Sequence, residues 1–244
     1  MSGRDLLHDP CWQGVDLGHP LPDAPHAVSV ALPRWQDVIA YEEHDPDCRD
    51  QLRTIYPRFG LHPLLQELAR AVKPDGLTSW PYPEQAAAAA AQAHCLRKAP
   101  GATIEIQSVA GLPCLRTDAV ATPHARAFWQ HCGLGASSRL AAIALGQESA
   151  PASGLGEAAR SAIRERLARI HGTKASAISL HPSGMAGLHT ALQAIETLRP
   201  GRPTLQLGFP YVDVLKQPQV VFHGGELLQD SDLRAVDAAL ERLQ

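Results

Sequence analysis

The sequence predicts an α/β protein with two parts, a small α+β domain over residues 1–150 and the incomplete start of a parallel-sheet domain over residues 151–244. Beyond residue 156, segments typical of strands and of helices alternate three times, which indicates a parallel sheet with crossover helices. Between the two parts, residues 146–156 are rich in Gly, Ser, Ala and Pro, a composition typical of a domain boundary.

The composition narrows the class of protein. Apolar residues make up 45% of the 244 residues, which is enough for a sizeable core. The net charge of −3, with interspersed signs, argues against a nucleic-acid-binding or membrane-binding face. No apolar run approaches the ~20 residues of a membrane span, and the first residues do not resemble a signal peptide. Five widely spaced cysteines favour a reducing, cytoplasmic compartment.

The first part is expected to combine short helices with a hairpin. In the Pro-rich first 35 residues only AVSVAL resembles a strand. One helix is expected after Pro33, another over His62–Val72, where apolar residues recur at helical spacing, and a third over the alanine-rich segment. ATIEIQSVAG is expected to pair with LPCLRTDAVA across a turn at Gly111. The last two predicted helices are PHARAFWQHCG and ASSRLAAIALG.

The second part is expected to alternate between helices and strands. Its predicted helices are EAARSAIRERLARIHG, GMAGLHTALQAIETL, VDVLKQ and DSDLRAVDAALERL. Its predicted strands are SAISL, TLQLGF and QVVFHG. Open sheets usually carry more strands than this and need cover on both faces. The second domain is therefore expected to be incomplete.

A loop of sequence His-Pro-Ser-Gly-Met leads from the predicted strand SAISL into the next helix. At such a helix start, free backbone N–H groups and the helix dipole favour binding of an anion. Phosphate is the anion that we expect there. Ser183 is expected to cap the helix, and Gly184 lets the backbone approach a ligand closely. An ordinary capped helix is the alternative interpretation of the same spacing.

Tyr211 follows the next predicted strand. It is expected at the carboxyl edge of the sheet, where open α/β sheets bind ligands. If the two strands are neighbours, its ring and a phosphate near Gly184 contact one molecule. The alternative is a tyrosine that packs at the strand end.

Several stretches resemble one family. PSGMAGL followed by LGFPYVDVLK resembles the pyridoxal-phosphate enzymes of cysteine and methionine metabolism. Upstream, LGHPLPDAPHAVSVALPRWQDVIAYEE, YPRFGLH and FWQHCGLGASSR resemble the long N-terminal region of fungal-type cystathionine γ-synthases. Together these stretches are spread over most of the chain.

The resemblance implies a fold type I transferase domain with pyridoxal 5′-phosphate as cofactor. The backbone amides of Gly184 and Met185 would hold its phosphate beside the Ser183 hydroxyl, and Tyr211 would stack on its ring. The family reaction replaces the γ-acyl group of an O-acylhomoserine with the sulfur of cysteine and yields cystathionine, in methionine biosynthesis. The resemblance also implies that the substrates are small amino acids and that the intact enzyme is a homo-oligomer.

The sequence departs from the family pattern in two places. The reaction needs a Schiff-base lysine, but none of the four lysines (Lys73, Lys98, Lys174 and Lys216) follows a strand at the required place. The family also carries an Arg-rich segment before the helix expected at 157–171, whereas residues 149–156 contain no Arg. We therefore expect a truncated chain that is inactive alone and has no catalytic residue of its own. The alternative is a non-catalytic regulatory or assembly module that binds partner subunits.

Twelve histidines raise the question of a metal site. The sequence has no Cys-x-x-Cys and no His-Glu-x-x-His pattern. We expect structural or surface histidines and no metal site.

Overall fold

The computed structural model of the protein describes residues 5–57, 59–71, 76–151, 154–229 and 232–243. The helices before residue 152 are α1 (Trp35–Glu42), α2 (Pro46–Asp50), α3 (Pro63–Arg70), α4 (Gln85–Lys98), α5 (Thr122–Cys132) and α6 (Ser138–Ala144). The strands in the same part are β1 (Pro20–Leu21), β2 (Ser29–Val30), β3 (Thr78–Pro81), β4 (Ile104–Val109) and β5 (Leu112–Thr117). After residue 153 the elements are α7 (Leu155–His171), α8 (Gly184–Leu198), β6 (Thr204–Leu207), α9 (Val212–Val221), β7 (Gly225–Leu228) and α10 (Leu233–Arg242).

The α/β class is confirmed, with mixed sheets. Strands β1 and β2 form an antiparallel pair, β3-β5-β4 form an antiparallel sheet in that order, and β6 and β7 are parallel. The β4–β5 hairpin turns at Ala110 and Gly111, with φ of 48° and 85°. Two successive residues of positive φ match the twist of a tight hairpin, which confirms the predicted turn at Gly111.

The main core lies between the β3-β5-β4 sheet and helices α4 and α5. Trp80 of β3, Leu115 of β5 and Phe128 of α5 are buried in it. Helix α4 presents Ala88 and Ala91, which have no exposed surface. Their small side chains let α4 pack closely, and the aromatic rings fill the remaining volume at the density of a protein interior.

The expected strand SAISL is wrong. A 3-10 turn occupies Ala175–Ala177, and Ile178 then continues in an extended conformation with φ of −99° and ψ of 117°. Ile178 and Leu180 are half-buried and Ser179 is exposed, so the alternation of a strand is present. A strand also needs a ladder partner. None of the described strands pairs with this segment, so the pattern gives an extended segment instead.

The expected strand QVVFHG is also wrong, because residues 219–221 continue helix α9 and the strand begins at Gly225. β-Branched residues after Pro218 favour a strand by propensity alone. In the structure Pro218 lies inside the helix, and both Pro218 and Val221 are buried. Val221 belongs to the main core. Tertiary burial therefore overrides the local preference, as it often does for short apolar runs.

The expected boundary stretch 146–156 ends earlier than its composition predicts, because α7 already begins at Leu155. Residues 152–153 lie outside the described residues, as do Val72 and Lys73. A division into domains at 150 and 151 stays a prediction. Helix α5 of the first part packs against α8 and α9 of the second.

Gly133, the C-cap residue that follows helix α5, touches the first turn of α8. Gly133 has a φ of 64°. A Cβ atom there would lie 2.5 Å from Ser183 Oγ and 2.9 Å from Met185 Cβ. Only glycine combines this left-handed conformation with so close an approach. The end of α5 therefore sets the position of the start of α8.

Replacing Gly133 with Ala is expected to lower the free energy of unfolding by about 2–5 kcal/mol, because overpacking adds to left-handed strain. Gly172→Ala is the matched control, since Gly172 ends α7 at a similar φ of 61° and a Cβ atom on it would meet no atom within 4 Å. Its expected loss is only about 1–2 kcal/mol. Urea denaturation measures both variants, and equal losses would contradict the close contact at Gly133.

Two histidines are buried in a row of ring contacts that joins α4, α5, α8 and Phe222, the residue after α9. The ring centroids of His94 (α4) and Phe128 are 5.4 Å apart. Those of His189 (α8) and Phe128 are 5.6 Å apart, and those of His189 and Phe222 are 5.3 Å apart. Neither ring nitrogen of His189 has a hydrogen-bond partner among the described residues. Burial lowers the pKa of His94 and the pKa of His189 to about 4 each. Both rings are therefore neutral at pH 7.

Stability is expected to fall as the pH is lowered from 6.5 towards 4. In this window the unfolded histidines bind protons that the folded ones do not, because the folded pKa of about 4 lies below the usual 6.5. The loss is at most about 3 kcal/mol for each histidine. Urea denaturation from pH 7 to pH 4 measures it. His189→Leu should flatten the slope of stability against pH, and an unchanged slope would contradict the assignment.

Candidate functional site

A cleft of about 410 Å³ opens where the end of α5 meets the starts of α8 and α9. Ser183, Met185 and Tyr211 all line it. These are three of the four residues that the sequence predicts to bind one ligand. Gly184 lies between Ser183 and Met185, and a Cβ atom on it would meet no atom within 4 Å. The fold therefore brings the Ser-Gly-Met loop and Tyr211 to the same opening.

The start of α8 shows the predicted cap. Ser183 is extended, with φ of −152° and ψ of 163°, and its Oγ accepts a hydrogen bond from the Ala186 amide at 3.1 Å. Its hydroxyl donates to the Gly133 carbonyl at 3.3 Å. The role of Ser183 as N-cap is confirmed, and the cap is tied to the end of α5.

Two amides at this helix start are open to a ligand. The Gly187 amide donates to the Ser183 carbonyl at 3.1 Å, and the Ala186 amide is used by the cap. The amides of Gly184 and Met185 donate to no acceptor among the described residues. Because α8 has 15 residues, its dipole adds partial positive charge at this end. The pair of amides and the dipole together suit an anion.

Tyr211 is the N-cap residue of α9. Its carbonyl accepts from the amides of Val214 and Leu215, at 2.9 and 3.2 Å. The backbone is thereby fixed while 52% of the residue remains exposed. Tyr211 is therefore accessible at the cleft, and the stacking of its ring on a ligand stays a prediction.

A buried polar network holds the three helix ends together. His131 Nδ1 lies 3.0 Å from Asp213 Oδ1, and both side chains are buried. Gln217 Nε2 donates to the carbonyls of His131, at 2.7 Å, and Met185, at 3.4 Å. α5, α8 and α9 are thus linked directly beneath the cleft. Sequence analysis missed His131, Asp213 and Gln217, because their partners lie 32 to 86 positions away and no local pattern pairs them.

The described lysines do not contribute to this cleft. Lys98, Lys174 and Lys216 are exposed, and none of them lines it. Lys216 lies on α9, as the sequence predicts, five positions after Tyr211. Lys73 lies outside the described residues. The cations and imidazoles that do line the cleft come from the first part of the chain, and include Arg139, His26 and His62.

The described residues show neither a metal centre nor a membrane span. They contain no group of three or more His, Cys, Asp and Glu side chains that could bind a metal ion. In the same residues no helix combines the length and the apolar character needed to cross a bilayer.

Comparison with known proteins gave matches among curated sequences only. No family model matches the chain. No solved structure matches it either.

The matching sequences include a dechlorinase/desaturase and cystathionine γ-synthases. An L-2-amino-4-chloropent-4-enoate dechlorinase/desaturase of Streptantibioticus cattleyicolor is 32% identical over 211 residues, which is 80% of this chain and 41% of that protein. A cystathionine γ-synthase of Neurospora crassa is 28% identical over 156 residues, 52% of this chain and 25% of that enzyme. A cystathionine γ-synthase of Saccharomyces cerevisiae is 43% identical over 47 residues, 19% of this chain and 7% of that enzyme.

The chain thus spans less than half the length of the curated relatives it matches. The matches confirm the resemblance to cystathionine γ-synthases that the Ser-Gly-Met loop and the upstream sequence segments indicate. These enzymes use pyridoxal phosphate, and the chain is a partial member of the cystathionine γ-synthase-like family of pyridoxal-phosphate-dependent enzymes.

Proposed function

We propose that this chain supplies the phosphate-binding side of a pyridoxal-phosphate site in a fold type I enzyme of the cystathionine γ-synthase kind. The observation that carries the proposal is a pair of amides, Gly184 and Met185, that donate to no acceptor among the described residues. They lie at the start of a 15-residue helix, on a cleft that Tyr211 also lines. Helix starts of this kind bind phosphate groups. The residues present therefore fit the phosphate end of the cofactor.

The chain's own residues have separate tasks in this site. The amides of Gly184 and Met185 donate to phosphate oxygens, and the Ser183 cap keeps both amides pointing out of the helix. The ring of Tyr211 supplies a flat surface for stacking. The buried Asp213–His131 pair ties the start of α9 to the end of α5. When bound, pyridoxal phosphate supplies an electron sink for carbanions of an amino-acid substrate.

The reaction we propose for the whole enzyme is replacement of the γ-acyl group of an O-acylhomoserine by the sulfur of cysteine. It is a transferase step of methionine biosynthesis, carried out in the cytoplasm by a homo-oligomer on small amino acids. The names of the Neurospora crassa and Saccharomyces cerevisiae relatives support it.

A second candidate is removal of a γ-substituent without replacement. The bacterial relative that aligns with 80% of this chain is named for an amino acid with chlorine at carbon 4, which is the γ carbon. Both candidates share the binding site and differ in the step that comes after loss of the γ group.

Phosphate binding should depend on the Gly184 amide. Gly184→Pro removes this donor at the first helical position, where proline fits, and Ser183 already has the extended backbone that proline requires before it. Affinity for pyridoxal phosphate should fall about tenfold to hundredfold, the value of one hydrogen bond to a charged group. Calorimetric titration of the 244-residue chain measures it.

Gly184→Ala is the matched control, because it keeps the N–H and its Cβ meets no atom within 4 Å. Its affinity should equal that of the unchanged protein. Equal affinities for the Pro and Ala variants would show that the phosphate binds elsewhere.

The chain by itself is expected to be inactive in both candidate pyridoxal-phosphate reactions, because no described lysine lines the cleft. Borohydride treatment with stoichiometric pyridoxal phosphate should leave Lys98, Lys174 and Lys216 unmodified in peptide mass spectrometry. Neither cystathionine nor chloride should form from the two candidate substrates. A stoichiometric adduct on Lys216 would contradict this expectation.

A further inference from the structure

The first part of the chain contributes a second set of polar groups to the cleft. His26 and Ser138 both line it. Ser138 Oγ lies 3.1 Å from His26 Nδ1, and Glu148 Oε1 lies 2.7 Å from His26 Nε2. A hydroxyl, an imidazole and a carboxylate therefore stand in line, each within hydrogen-bond reach of the next. This is the signature of an activated nucleophile, a base and a group that orients the base.

The two contacts of His26 match one tautomer of the neutral imidazole. A carboxylate only accepts, so in that tautomer the hydrogen is on Nε2 and is donated to Glu148. Nδ1 then holds a lone pair that accepts the Ser138 hydroxyl hydrogen. These are the roles found in serine hydrolases, with the two ring nitrogens exchanged. The His26 side chain is 11% exposed and Ser138 is 9% exposed, so bulk water has limited access to the pair.

The N-cap of helix α6 is Ser137 and not Ser138. The Ser137 Oγ accepts from the Leu140 amide at 3.2 Å. Arg139 also lines the cleft. A cationic side chain therefore borders the same cleft as Ser138.

A second Ser–His pair in the structure serves as a comparison for the Ser138–His26–Glu148 group. Ser179 Oγ lies 2.9 Å from His181 Nε2. The other ring nitrogen of His181 faces the hydroxyl of Thr190, at 3.4 Å, instead of a carboxylate. Neither Ser179 nor His181 lines the cleft. This pair has the hydroxyl and the base but lacks the carboxylate and the enclosed space.

We infer that Ser138, His26 and Glu148 form a hydrolytic site for small acyl esters. Ser138 Oγ bonds to the acyl carbon while its proton passes to His26 Nδ1. The ester C–O bond breaks, and the alcohol leaves with that proton. A water molecule then attacks the acyl group on Ser138, gives a proton to His26, and releases the carboxylic acid as Ser138 regains its hydrogen. Ser138 and His26 are the catalytic residues, and Glu148 is a positioning residue.

The test uses the 244-residue chain without pyridoxal phosphate, so its outcome is independent of the proposed cofactor site. The probes are p-nitrophenyl acetate and a fluorophosphonate. We expect hydrolysis that saturates with ester concentration and a phosphonate adduct that mass spectrometry places on Ser138. Ser138→Ala and His26→Gln should each lower kcat/KM at least tenfold. Ser179→Ala is the matched control and should leave the rate unchanged.

The Glu148→Gln variant distinguishes a positioning role of Glu148 in the reaction from a role in the stability of the fold. The amide can still accept from His26 Nε2 but no longer carries the charge that stabilises the protonated ring. We expect kcat to fall about tenfold or more with KM unchanged, and the melting temperature to stay the same. Hydrolysis that survives Ser138→Ala, an adduct on another residue, or no adduct at all would overturn the inference.

Discussion

The contact of Gly133 with the first turn of α8 is the constraint on which the site depends. The Ser183 hydroxyl donates to the Gly133 carbonyl, and a side chain on Gly133 would collide with Ser183 Oγ and Met185 Cβ. The close approach fixes where α8 begins. It thereby fixes the direction of the Gly184 and Met185 amides, which a helix placed even slightly differently would aim elsewhere.

Buried polar groups hold this arrangement at a cost in desolvation. His131 and Asp213 are both removed from water, which is unfavourable unless each finds a partner. Their 3.0 Å contact makes each side chain the partner of the other. Gln217 satisfies the backbone carbonyls of His131 and Met185 beside them. An apolar core would join the three helices as well, but it would not fix their rotation and register so specifically. The row of ring contacts of His94, Phe128, His189 and Phe222 continues the same junction into the core.

The cleft has two chemically different sides. Residues of α8 and α9 present amide donors and an aromatic ring, which suit a phosphorylated aromatic cofactor. Residues of the first part present imidazoles, hydroxyls and a guanidinium. Burial lowers the pKa of His62 on this side, which favours a neutral ring there. The first part of the chain therefore forms one wall of the opening, and its side chains face whatever occupies the cleft.

The sequence by itself determined the local features. Helical spacing, the Ser183 cap and the Gly111 turn are encoded within a few residues, and the structure has each of them. Phrases such as PSGMAGL likewise indicated the family without any coordinates. Tertiary structure alone decided the features that need a distant partner. SAISL has the alternation of a strand but no ladder partner among the described strands, and Val221 joined a helix because the core buries it there. The contacts of Gly133 with Ser183, of His131 with Asp213, and of His26 with Ser138 and Glu148 join residues 50 to 122 positions apart. No local pattern specifies such pairs, because only packing of the whole chain brings them within bonding distance.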